Sequence, residues 1–151
     1  MTSRENLVEM VDVSGKKIVH RFAEARGEVI LRPETVAEIR KGTTKKGNVI
    51  AVSEIAGIMA AKKTSEIIPL CHQVPLSSVQ ISFDFDEDRI HSCCRVAATY
   101  ATGVEMEALV GVTTALLSVW DMVKYLEKDE NGQYPTARIE NVRVTIKKKD
   151  D

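Results

Sequence analysis

Four short stretches of this 151-residue chain carry side chains able to do chemistry. "TTKKGN" places Lys45 and Lys46 just before Asn48, a helix-capping residue type, so two ammonium groups lie close to a helix start whose free N–H groups favour an anion. Gly42 and Gly47 imitate the spacing of a phosphate loop, but Asn48 and Val49 stand where Lys and Ser or Thr should follow, so that reading fails. "GVEMEAL" sets Glu105 and Glu107 at a second helix start. Two positions apart, they point in different directions and do not automatically form an acid–base pair. "WDMVK" brings Asp121 and Lys124 within one helical turn. "IPLCHQVPL" holds Cys71 and His72 between Pro69 and Pro75, in a segment too proline-broken for a helix and too apolar for a solvated loop. The prolines stiffen the backbone and give His72 a fixed bearing.

Each group also has a plainer explanation. The lysines suit a solvated basic turn, His72 suits a core position, and Asp121 with Lys124 suits a surface ion pair worth under about 1 kcal/mol. Against the last, the helix carrying that pair is apolar on nearly every other side, and burying charge without purpose is costly. The cysteines, Cys71, Cys93 and Cys94, are odd in number and fit a reducing compartment better than a disulfide framework. Cys71-His72 and Cys93-Cys94 are adjacent pairs without the spacing that lets two side chains share one ion, so no metal site is expected.

The elements that must position these groups follow from apolar periodicity. Val19, Ala23, Ala25, Val29 and Leu31 alternate through 17–32 and predict a strand. Pro33 opens a short helix ending near Gly42, and 48–63 has helical spacing behind Asn48. "SVQISFDF" and "IHSCCRVAATY" predict a hairpin, Gly103 to about Leu126 a helix of roughly 35 Å, and "ARIENVRVTIK" a last strand with Val142, Val144 and Ile146 alternating. This order predicts an α+β, ferredoxin-like βαββαβ sandwich with an additional short helix, a single domain over 1–151 with 1–9 as a flexible terminus. The long helix is apolar nearly all round, more than one sheet can cover, which predicts an oligomer. Its polar track, Glu107, Gly111, Thr114, Ser118 and Asp121, reads either as a site or as a packing seam. A net charge of −1 gives no whole-chain reason to bind nucleic acid. With no signal-peptide core and no uninterrupted apolar run long enough to span a bilayer, a cytoplasmic protein without a membrane partner is expected.

"MVDVSGK", "KKGNVIAVSEIAGIMAAKKTSEIIPLCHQVPL" and "TGVEMEALVGVTTALLSVWDMVK", in that order, resemble the MoaC family of molybdenum cofactor biosynthesis. The resemblance implies a pyrophosphate-releasing lyase acting on GTP already cyclised between ribose C3′ and purine C8, and a homohexamer, a trimer of dimers, with interfacial sites. It implies Asp121 as catalytic acid, with Lys124 and Lys46 as further catalytic groups. Leu70, Cys71, His72, Glu105, Met106 and Glu107 would line the substrate pocket, with Arg26 and Lys62 at the triphosphate. No bound cofactor is implied, though a divalent cation such as magnesium could accompany the triphosphate. The alternative is a non-catalytic nucleotide-binding or regulatory oligomer whose polar track serves assembly.

Overall fold

The computed structural model describes residues 7–150. Most of the terminus expected to be flexible, residues 1–6, lies outside the described residues, as does Asp151. The elements run β1 (Val19–Ile30), α1 (Pro33–Lys41), α2 (Val49–Lys62), α3 (Thr64–Ile67), β2 (Leu76–Phe85), β3 (Arg89–Tyr100), α4 (Glu105–Glu127) and β4 (Arg138–Asp150). The fold is α+β, with four strands in one antiparallel sheet ordered β2-β3-β1-β4. The single turn of α3 is an addition to the expected elements; it leads directly into the proline-stiffened connector.

Local sequence explains the boundaries. Pro33 supplies the fixed φ of a first helical turn, and Gly42 ends α1 in a left-handed conformation, φ 71°, that spares it a Cβ clash. The Asn48 side chain accepts the Ala51 N–H at 3.0 Å and so caps α2.

One sheet face is apolar and lies under the helices: Ala23, Ala25 and Val29 from β1 and Ile90, Cys94, Val96 and Ala98 from β3, closed over by Val112, Ala115, Leu116 and Val119 of α4. Alternate β1 residues occupy the other face. There the buried Glu24 carboxylate takes donors from Arg26, Arg95 and Thr145, while Glu28 takes Asn141 and lies within ion-pair distance of Arg89 and His91. Cys93 and Cys94 therefore point to opposite sides of β3.

α4 crosses α2 at two glycines. A Cβ on Gly57 would stand 2.9 Å from the Gly111 carbonyl oxygen, and one on Gly111 would stand 2.7 Å from Cys94 Sγ. This approach fixes the spacing of the helices that carry the chemical groups. By length and overall apolarity alone α4 would pass for a bilayer span, although Thr113, Thr114, Ser118 and Asp121 interrupt its apolar run. Its apolarity is largely accounted for by packing, since Ala108, Val112, Ala115, Leu116, Val119 and Val123 are fully buried.

Two surfaces remain greasy. Met106 and Leu117 on α4 and Val52, Ile55 and Met59 on α2 are exposed, so the surplus seen in the sequence is real in the single chain. Val142, Val144 and Ile146, the alternating apolar residues of β4, are each more than a third exposed. β4 is an edge strand, and Val142 lies against Gly27 of β1.

Candidate functional site

The connector after α3 and the first turn of α4 enclose a cleft of about 300 Å³, lined by Leu70, Cys71, His72, Glu105, Met106 and Glu107 together with Val11, Val74, Thr102 and Gly103. All six residues implied for the pocket by resemblance thus share one wall system. His72 Nε2 donates to the Val11 carbonyl at 2.5 Å, which ties the connector to the segment before β1. Burial pushes the Cys71 thiol up, and the Glu107 carboxylate adds to the effect, which disfavours the nucleophilic thiolate.

The two glutamates are set apart electrically. Burial raises the Glu107 carboxyl above its usual value, and neighbouring Glu105 reinforces the shift. Burial acts most strongly on Glu105 too, but Lys147, whose Nζ lies 2.7 Å from Oε1, its own backbone N–H and the Arg21 charge together leave that carboxyl lowered. One carboxyl is biased toward the protonated form and the other toward the ionised form, which is how a pair divides donor and acceptor roles.

A second group forms at the far end of α4. Lys46 Nζ reaches both the Asp121 carboxylate and the Asp121 carbonyl at 3.3 Å, and Lys124 Nζ lies 2.9 Å from the other carboxylate oxygen. Hydrogen bonds from Lys124 first and Lys46 second hold the Asp121 carboxyl low, and Asp121 in turn raises Lys124. As placed, Asp121 is an ionised acceptor clamping two cations, leaving Lys124 as a proton-bearing group. The trio carries net positive charge beside the start of α2, the combination that suits a phosphate. Lys45 and Lys46 are thereby more than a solvated turn, because the loop closes on α4.

Cleft and trio are not adjacent. Glu107 and Asp121 are almost four turns apart, about 21 Å along the helix. Along this side of α4 runs a line of Met106, Val110, Thr113, Leu117, Asp121 and Lys124, exposed except for half-buried Val110 and Lys124, with Ile67 and Ile68 beside its Met106–Thr113 end. Lys62 lies beside the cleft without lining it, in a neighbouring depression that shares Val74. Arg26, expected at the triphosphate, joins neither group: it lies on the opposite sheet face, 3.1 Å from Glu24.

One residue escaped the sequence reading. Arg21 stands at an inward strand position between Val19 and Ala23, is buried, donates to the Ala101 carbonyl at 3.0 Å, and keeps an Nε without a partner. It acts electrostatically on Glu105, one of the cleft residues. The signal was available: a charged residue in phase with core positions of a strand.

The sequence profile of the MoaC family matches residues 10–150. The chain belongs to the MoaC family. A probable cyclic pyranopterin monophosphate synthase of Thermococcus onnurineus is 60% identical over 147 residues, 97% of this chain and 94% of its own length. That of Thermococcus kodakarensis is 59% identical over 145 residues, covering 96% and 93%. A Methanothermobacter thermautotrophicus protein described as a probable cyclic pyranopterin monophosphate synthase accessory protein is 52% identical over 145 residues, covering 96% and 91%. The MoaC match spans both the cleft and the Lys46–Asp121–Lys124 trio, so both belong to the family region.

Proposed function

We infer that this protein is a cyclic pyranopterin monophosphate synthase of molybdenum cofactor biosynthesis. Its substrate is the 3′,8-cyclised dihydro form of GTP and its second product is pyrophosphate, which makes it a lyase acting in the cytoplasm. The observation that carries the reading is the union of an acid–base cleft with a separate cationic anchor on one MoaC-family helix. Rebuilding a purine into a pterin needs proton transfers at the base, which Glu107, Glu105 and His72 can supply. Closing the cyclic phosphate needs attack at the α-phosphorus with pyrophosphate leaving, and Lys46 and Lys124 oppose the charge that develops there.

One substrate cannot bridge about 21 Å of helix within a chain, so the working site is formed between two copies. Thr114 lies midway between Glu107 and Asp121. A two-fold axis near it, pairing α4 helices antiparallel along the Met106–Leu117 line, would set one protomer's Lys46–Asp121–Lys124 trio over its partner's cleft. This supports a dimer unit, and exposed Val52, Ile55 and Met59 on α2 leave surface for its further assembly into a hexamer. The strand order is what two interleaved βαβ units give, which supports the ferredoxin-like description. Lys62, next to the cleft, remains a reasonable triphosphate contact; Arg26 would need a surface from another protomer.

The test is incubation with the cyclised GTP, following pyrophosphate and the fluorescent oxidised pterin. Release of both is expected. Tight binding without release would instead support a non-catalytic, accessory role such as the Methanothermobacter relative's description names.

A further inference from the structure

We propose that Tyr125 is a positioning residue for Lys46. The inference rests on Lys46 serving the reaction proposed above. Lys46 sits in the connection between α1 and α2, which is closed on itself: the Thr44 hydroxyl donates to the Gly47 carbonyl at 2.6 Å, and Gly47 turns the chain at φ 99°. Those contacts shape the loop but do not place it against α4. Among the described residues, its hydrogen bonds to α4 run through two side chains only, Lys46 itself and Tyr125.

The Tyr125 hydroxyl oxygen accepts the Lys45 backbone N–H at 2.8 Å, and its ring lies 5.2 Å from Lys45 Nζ. One residue later the Lys46 ammonium meets Asp121 at 3.3 Å, a long contact for a charged hydrogen bond and one open to water. Such a contact does not by itself hold a flexible side chain on target. The fixed point is the backbone at Lys45, and Tyr125 holds it from the same helix face as Asp121, four residues earlier. The other end of α1 is tied to the same stretch of α4, where the buried Glu127 carboxylate accepts the Arg32 N–H at 3.1 Å and the Thr35 hydroxyl. α1 and its loop are thus a brace fastened twice to the last turns of α4, and Tyr125 is the fastening nearest the chemistry.

Tyr125→Phe keeps the ring and its contact with Lys45 but removes the acceptor. Loss of one neutral hydrogen bond should lower kcat about three- to tenfold, with KM close to wild type. Deuterium exchange in the 43–48 peptide should quicken, while Tm hardly moves. Lys46→Ala, measured alongside, should show no turnover. If wild-type protein releases no pyrophosphate, or if Lys46→Ala turns over normally, the proposed reaction or the role of Lys46 fails, and exchange alone still decides whether Tyr125 holds the loop. Unchanged exchange in Tyr125→Phe overturns the positioning role, as does faster exchange with wild-type kcat in an active enzyme.

Discussion

Asp121→Asn separates catalysis from stability at the trio. The carboxylate is 57% exposed, and its partners Lys46 and Lys124 are 47% and 42% exposed. Screening at that exposure limits what Asp121's pairs contribute to folding to about 1 kcal/mol or less in total, a Tm change within about 4 °C for a chain of this size. This is well short of the roughly 3–5 kcal/mol lost when a buried pair is broken. The sign of the pH dependence follows from the lowered carboxyl. Its contribution is fully present above the ordinary value of 3.8 and is lost as pH falls through the lower folded value, so wild type and variant should converge in stability in strong acid and differ most near neutrality. Turnover should fall much further, by about 10²–10⁴-fold, if the cation clamp takes part in proton or phosphate chemistry. Thermal unfolding at two pH values and pyrophosphate release at neutral pH measure both. The double variant Asp121→Asn with Lys124→Met should fold well and stay inactive. Recovered turnover in that double variant, or a stability loss of the buried-pair size, would refute this assignment.

Glu107→Gln should raise Tm at neutral pH while abolishing turnover. A carboxyl raised by burial costs stability as pH rises from 4.5 through its folded value, and the neutral amide removes that cost. Equal Tm values at pH 7 would count against a buried, strained carboxylate. Mixing Lys46→Ala with His72→Ala protein should restore about a quarter of wild-type sites, because a two-fold pair of unlike mutants assembles one intact site in two. No recovery after verified subunit exchange would place the site within one chain. Gly111→Ala should destabilise: helix propensity returns about 1 kcal/mol at most, while a methyl 2.7 Å from buried Cys94 Sγ forces α4 outward at an overpacking cost of about 1–3 kcal/mol. A stabilised Gly111→Ala protein would mean that the α2–α4 approach is slack.

The elements were legible because their signals are local. Alternation in β1 and β3, Pro33, the Asn48 cap and Gly42 each act within a few residues, and each element appears close to where these signals put it. What failed needed the third dimension. Val142, Val144 and Ile146 alternate like core residues, yet alternation cannot tell an edge strand from one lying beneath a helix. Strand phase likewise separates two arginines that look alike in sequence: Arg26, named by the resemblance, lies on the sheet face away from the helices, whereas Arg21, in phase with Val19 and Ala23, is buried on the helix side and donates to the Ala101 carbonyl.

The site was legible as residue types and illegible as geometry, for a physical reason. Its two halves sit on one rigid helix that holds them apart, and no folding of the single chain can close that distance. The same helix carries Met106, Val110 and Leu117 on the stretch between them. Leaving Leu117 and Met106 exposed incurs a cost in water that the pairing proposed above would remove. On that two-copy arrangement the hydrophobic surplus and the split chemistry are one feature: the surface that would drive pairing also sets the cleft against the lysines.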